Sequence, residues 1–287
     1  MEKKIMTVNK RSKQNKAVNK SRKKILMTRL YVLIVLAVIL LIIAGIGAFV
    51  TPNDPYKINA LMMKKAPSSE FIFGTDSYGR CVCSRVLAGA GMTIYGALFL
   101  VISTATVGTV LGTICGYYGG VVDTVIMRIT DLMLAFPQMV LAIAVAGLAG
   151  GGLWNAILAL GISGWTLYCR LVRSRVMSIK HESYILAARL SGCSDLKIIV
   201  SYILPMIVGS VVVNAVTQIG TSIIWIAGLS FLGIGVRAPQ AEWGSMINEA
   251  RGAMQLAPWA VIAPCAAIFI TVTVFNCMGD TVRDIAD

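Results

Sequence analysis

The stretch Leu132–Cys169, LMLAFPQMVLAIAVAGLAGGGLWNAILALGISGWTLYC, carries no charged residue. A helix rises about 1.5 Å per residue and a bilayer's hydrocarbon core is about 30 Å thick, so one crossing takes roughly 20 apolar residues. As a single helix this stretch would reach roughly 57 Å, too far for one crossing. Gly147, Gly150, Gly151 and Gly152 stand near its middle, where they suit a turn. The stretch therefore predicts two membrane helices, Leu132–Leu148 and Leu153–Cys169, joined as a hairpin.

Outward from it lie four more charge-free tracts: Leu30–Asn53, Val86–Val122, Ile198–Val236 and Gly252–Gly279. They predict spans at Leu30–Val50, Gly91–Cys115, Met206–Leu229 and Pro258–Met278, six in all. A membrane β-barrel would show short alternating segments, which are absent. With 57% hydrophobic and 14% charged residues the composition agrees, since soluble domains carry nearer a quarter charged. The expected fold is all-α, a polytopic protein with six transmembrane helices.

The net charge of +13 is uneven, with 11 of the 26 basic residues between Lys3 and Arg29. Lys and Arg gather on the cytoplasmic side of membrane helices, which places the amino terminus inside, and six spans return the carboxyl terminus there. Arg170, Arg173, Arg175, Lys180, Arg189 and Lys197 all fall in one inside loop, in agreement. This distribution explains the positive charge better than nucleic-acid binding does, and the tail adds affinity for anionic membrane lipid. Residues 1–29 read as a basic, mostly disordered cytoplasmic tail. Residues 30–50 form the first helix, 51–90 an extracytoplasmic loop, and 91–287 a five-helix core. The long apolar stretch and the lack of a small-x-small site read as an uncleaved anchor rather than a signal peptide.

Several chemistries are missing. No G-x-x-x-x-G-K-[ST] string is present to cradle ATP phosphates. His181 is the single histidine, so neither a His pair for zinc nor a well-placed Ser–His–acid triad is on offer. Cys81 and Cys83 form a Cys-x-Cys on the outer side, an incomplete metal site, and all seven cysteines read as small apolar residues. No metal site is expected, and no enzyme. Charged groups are absent from the centres of the spans, which counts against an ion-coupled carrier. Asp123, Arg128 and Asp131 read as an interfacial network in which Arg128 and Asp131, at i and i+3, can pair.

Uncharged polar groups do occur in the spans. Gln138, Asn155, Asn214 and Gln218 either bond between helices or line a wet pathway, and Asn276 joins them. Gly108, Gly112 and Gly116 recur every four residues and predict close helix contact. In the second outer segment, Arg237, Glu242, Glu249 and Arg251 are candidate contacts for a partner or a substrate, or else a solvated loop.

The inside loop is the most informative. In His181–Val200, HESYILAARLSGCSDLKIIV, Ile185 with Ala188 and Leu186 with Leu190 fall at helical spacing. Gly192 suits a helix stop, and Ser194-Asp195 an N-cap for a helix running towards Pro205. A short amphipathic helix inside a polar loop suggests a docking surface.

Tyr184–Pro205, YILAARLSGCSDLKIIVSYILP, resembles the EAA loop of bacterial ABC importer permeases. Ala187, Ala188, Gly192 and Leu204-Pro205 match, while Leu186 stands where the family often has Glu. FGTDSYGR (Phe73–Arg80) is similar to a sequence of the C-type permeases of dipeptide, oligopeptide and nickel importers, although Cys81 replaces the usual Asp. So are GYYGGVVDTVIMRITD (Gly116–Asp131), GLSFLGIG (Gly228–Gly235), EWGSM (Glu242–Met246), APW (Ala257–Trp259) and GDTVRD (Gly279–Asp284).

The resemblance implies a subunit of the bacterial inner membrane that forms half of a translocation pathway, paired with a second, homologous permease. Two ATP-binding cassette subunits, holding ATP and Mg, would dock on a coupling helix at 184–195, through Tyr184, Leu186, Ala187, Ala188, Arg189, Gly192, Ser194 and Asp195. An extracytoplasmic binding protein would deliver peptides, or nickel as a chelate. The chain itself would need no cofactor. The alternative is a secondary carrier or channel working without an ATPase.

Overall fold

A computed structural model describes residues 2–286, with side chains from 24 to 285. In chain order its helices are α1 (Glu2–Ile46), α2 (Val82–Tyr118), α3 (Gly120–Leu134), α4 (Gln138–Leu148), α5 (Leu153–Ile179), α6 (Ser183–Leu190), α7 (Asp195–Ile198), α8 (Leu204–Phe231), α9 (Trp243–Ala250) and α10 (Trp259–Ala286). Among the described residues no strand is formed, only an isolated bridge between Thr75 and Cys81. The all-α membrane architecture expected from the charge-free tracts is the one observed.

Five helical stretches are long and apolar enough to cross a membrane: Lys24–Ile46, Val82–Tyr118, Leu153–Ile179, Asp195–Phe231 and Trp259–Ile285. The fourth is continuous because a wide π-helical turn, Ile199–Ile203, joins α7 to α8. Pro205 stands just beyond that turn, where its missing N–H is accommodated.

The span expected at Leu132–Leu148 is corrected by the structure. It is broken between Leu134 and Gln138, and α3 and α4 meet at 86°. Pro137 is the cause: it cannot donate to a continuing helix, and it drives Phe136 out of helical conformation. The hairpin turn falls where expected, with α4 ending at Leu148 and α5 starting at Leu153. Asn155 holds this turn by donating to the carbonyls of Ala149 and Gly151, both at 2.7 Å.

The first helix also departs from expectation, running back to Glu2 instead of leaving residues 1–28 disordered. From Glu2 to Ala44 there is neither Gly nor Pro, so a helix nucleated by the apolar span meets no breaker as it extends. The basic side chains from Lys3 to Lys23, expected to attract anionic lipid, lie outside the described side chains.

The bundle is built around α2 against α5, and the glycine period explains how close they come. A Cβ on Gly108 would meet Trp165 O and Tyr168 Cβ at 2.5 Å. On Gly112 it would stand 2.5 Å from Cys169 O, and on Gly116 2.7 Å from Val176 Cβ. Only glycine lets these two backbones touch, so dispersion replaces the hydrophobic drive that lipid cannot provide. On the far side of the bundle Gly220 faces Asn276 and Gly279 faces Thr217, seating α8 on α10.

Candidate functional site

At the basic end of the bundle the loop expected to dock a partner is a defined helix. Ile185 and Ala188 of α6 are buried against Val172, Val176, Ile198, Ile203 and Ile207. The other face is open: Tyr184, Leu186, Ala187 and Arg189 are exposed, and Leu190 retains 90% of its surface. The chain turns out of α6 through Gly192 at φ +77°, a conformation that costs a residue with a Cβ about 1 kcal/mol. Ser194 then caps α7 by accepting the N–H of Lys197. Leu196, 71% exposed, continues the apolar surface begun by Leu186 and Leu190.

Besides this apolar contact, one phenol ties α6 and α7 to α2. Tyr117, near the end of α2, donates to Asp195 Oδ1 at 2.6 Å and accepts from Arg189 Nη2 at 3.1 Å. Two of the expected docking residues, Arg189 and Asp195, are thus engaged with α2. Nearby, Arg173 grips Asp123 with two N–H groups, one at 2.6 Å, and Arg170 pairs with Asp131. The expected Arg128–Asp131 pair is not formed, because Asp131 faces α5 and finds Arg170 there.

The opposite end holds a buried charge cluster that the sequence did not single out. Arg80 donates to Asp76 Oδ2 at 2.7 Å and also pairs with Glu249. Arg85, 1% exposed, reaches Glu249 at 3.2 Å and Asp76 at 3.7 Å. It further donates to the carbonyls of Pro55 and Pro239, both at 3.3 Å. Two guanidiniums against two carboxylates leave no net charge, and this closes the 51–81 loop onto α2 and α9. Gly79, at positive φ and pressed on Asn59, makes the loop's turn.

Of the four outer residues expected to contact a partner or substrate, Glu242 is corrected by its burial. It has no exposed surface, and it caps α9 by accepting the N–H groups of Gly244 and Ser245, each at 2.9 Å. Burial pushes its carboxyl up, against the pull of those two N–H groups. Glu249 belongs to the charge cluster, Arg237 bonds the Gly150 carbonyl, and Arg251 is exposed. Cys81 and Cys83 are free and buried.

Between α2, α4, α5 and α8 a cleft of about 160 Å³ opens within the bundle. Gln138 and Gln218 line it together, with Thr104, Ser163, Thr166, Tyr168 and Ser222 supplying hydroxyls and Trp225 an indole wall. Asn155 and Asn214 do not reach it: the first holds the hairpin turn and the second bonds back to Ser210 O at 2.9 Å. The hydroxyls escaped sequence reading because a Ser or Thr in a span looks like any small residue. Only packing shows that they converge.

A cleft with a few polar groups among apolar walls inside an all-helical membrane bundle, with an open amphipathic helix at one end, is an architecture suited to a membrane transport subunit. Residues 108–287 match the family described as binding-protein-dependent transport system inner membrane component, and the chain belongs to that family of ABC importer permeases. It is 39% identical to the dipeptide transport system permease protein DppC of Alkalihalophilus pseudofirmus, over 86% of this chain and 81% of that one. It is 44% identical to the glutathione transport system permease protein GsiD of Escherichia coli, over 88% and 84%. A chain of the inward-facing MetNI methionine ABC transporter superposes with a TM-score of 0.57 at 17% identity. That match covers 70% of this chain and 96% of the other, and it supports the fold.

Proposed function

We propose that this chain is one of two permease halves of a peptide importer, driven by separate ATPase subunits that seat on α6. The observation that carries the reading is α6 itself. Its inner face is fixed in the bundle while Leu186, Leu190 and Leu196 present an apolar surface where the bundle meets water. An exposed apolar surface of this kind marks an interaction site. Through Tyr117, a push on α6 reaches α2 and from there the glycine seam with α5.

Peptide is favoured over nickel as cargo on two grounds. The relatives named above are a dipeptide and a glutathione permease. Among the described residues no group of three His, Cys, Asp or Glu is placed to hold a metal ion, and no charged residue lines the cleft. The remaining partners follow from the family: a second permease beside the cleft and an extracytoplasmic binding protein on the outer lobe. ATP and Mg belong to the ATPase subunits. Lys24 and Arg29 stand in the first turns of the first span, and Arg170, Arg173, Arg175, Lys180, Arg189 and Lys197 run from the last turns of α5 to α7. This supports cytoplasmic amino and carboxyl termini in a bacterial plasma membrane.

The test is co-expression with the ATPase subunits. Leu190→Glu combined with Leu196→Glu, both outward-facing, is expected to abolish copurification and peptide uptake together. If both persist at wild-type level, α6 is not the ATPase seat. Labelled nickel taken up in preference to labelled di- and tripeptides would overturn the cargo.

A further inference from the structure

The helix that carries α7 into α8 is weakened over one short stretch. Within the turn Ile199–Ile203 the Leu204 N–H donates to the Ile199 carbonyl, five residues back instead of four. Pro205 follows and has no N–H to give. An ordinary helix would serve the carbonyls of Val200 and Ser201 from those two positions, so both are left short of a helical donor. Both residues are exposed. Beyond Pro205 stands Gly209, where an added Cβ would meet nothing within 4 Å. No packing within the chain requires glycine there, and in a helix interior glycine only loosens the backbone. A wide turn, a proline and an unforced glycine thus fall together near the start of one 37-residue helix, Asp195–Phe231.

α6 packs against this stretch. Ile198 before the turn, with Ile203 and Ile207 at and after its end, is buried in the same cluster as Ile185 and Ala188 of α6. At 3.6 residues per turn, positions five apart point about 140° away from each other, so a regular helix could not turn both Ile198 and Ile203 inwards. The extra residue in the wide turn does so. Further along, α8 is held by α10, with Gly220 against Asn276 and Gly279 against Thr217. The weak stretch therefore stands between the seat of α6 and the part of α8 that lines the cleft with Gln218, Ser222 and Trp225.

We infer that the Ile199–Ile203 turn is a hinge in the Asp195–Phe231 helix, loaded by α6, and that the helix bends there in each transport cycle. Sharp bends in helices arise at prolines, glycines and wide turns, and all three are present here. A load on Ile185 and Ala188 reaches residues on both sides of the turn, where bending breaks the fewest hydrogen bonds. A straight α7–α8 would move as one rod with its seat, whereas a hinged one lets α6 shift while the Gln218 end stays on α10. The inference rests on the reading of α6 as the ATPase seat.

The test removes the hinge and keeps the seat. Deleting Ser201, an exposed residue, sets Ile198 and Ile203 four apart, so a regular helix holds the same stripe inwards. In the full complex in proteoliposomes, this variant is expected to retain its ATPase subunits as wild type does. Hydrogen exchange across residues 199–206 should slow about tenfold, and labelled tripeptide taken up per ATP hydrolysed should fall about tenfold. Gly209→Ala stiffens the same helix at a second point, and is expected to lower that ratio about twofold with no fall in melting temperature. A deletion variant that couples uptake to hydrolysis as wild type does overturns the hinge, since a turn that only sets side-chain register would not change the ratio. Wild-type amides at 199–206 that exchange no faster than those at 210–220 overturn it as well. If the deletion variant does not assemble, Gly209→Ala decides, and an unchanged ratio there sinks the inference. The seat is judged separately, by copurification of the Leu190→Glu, Leu196→Glu variant, so failure of the seat and failure of the hinge are told apart.

Discussion

The two ends of this bundle hold their charges in opposite ways. At the end away from α6, Arg80, Arg85, Asp76 and Glu249 are packed out of water, each guanidinium facing both carboxylates. At the basic end Asp131 and Arg170 keep about half their side-chain surface exposed, and one phenol, Tyr117, links Arg189 of α6 and Asp195 of α7 to α2. A buried network tolerates one arrangement, because any missing member strands a charge in low dielectric. Exposed pairs and a single phenol allow small rearrangements at little cost. One end is set, and the other is free to follow a partner.

The largest effect that would break this contrast lies in the buried charge cluster. Glu249→Ala leaves Arg80 and Arg85 facing each other, and about 3–5 kcal/mol of stability is expected to go. Thermal melting of the purified protein should fall by on the order of 10 °C, and a variant melting like wild type would deny the cluster its structural role. A smaller effect is expected from Tyr117→Phe, which keeps the ring and deletes both hydrogen bonds. Hydrogen exchange across residues 183–198 should quicken about tenfold while α2 and α5 keep their protection. Equal quickening in all three helices would mean that Tyr117 holds the bundle as a whole rather than α6. The smallest effect is Asp131→Asn, with less than about 1 kcal/mol lost in the same melting assay. A fall as large as that of Glu249→Ala would erase the difference between the ends.

How far the sequence reveals all this depends on how local the cause is. The charge-free tracts and the glycines at 147–152 act within a few residues, and the helices and the hairpin turn stand where those residues put them. α6 was equally readable, since Gly192 at positive φ and Ser194 as a cap decide the loop's geometry on their own. Pro137 was also in plain view, and its effect on the third span was missed because the apolar tract around it looked continuous. The buried charge cluster was not legible. Arg80 and Glu249 are 169 residues apart, and Arg85 and Glu249 164, so no local pattern links them. The cleft was half legible: Gln138 and Gln218 stand out as polar residues in apolar spans, whereas the rest of its lining shows only once packing brings those residues together.

The bend at Pro137 bears on how the protein is made. α4 has 11 residues and spans about 16 Å, half of what a bilayer requires, while α3 carries Asp123, Arg128 and Asp131. During synthesis, then, the emerging α4 cannot lodge across the membrane by itself. Only together with α3, as a pair bent at Pro137, does it reach the length of one crossing.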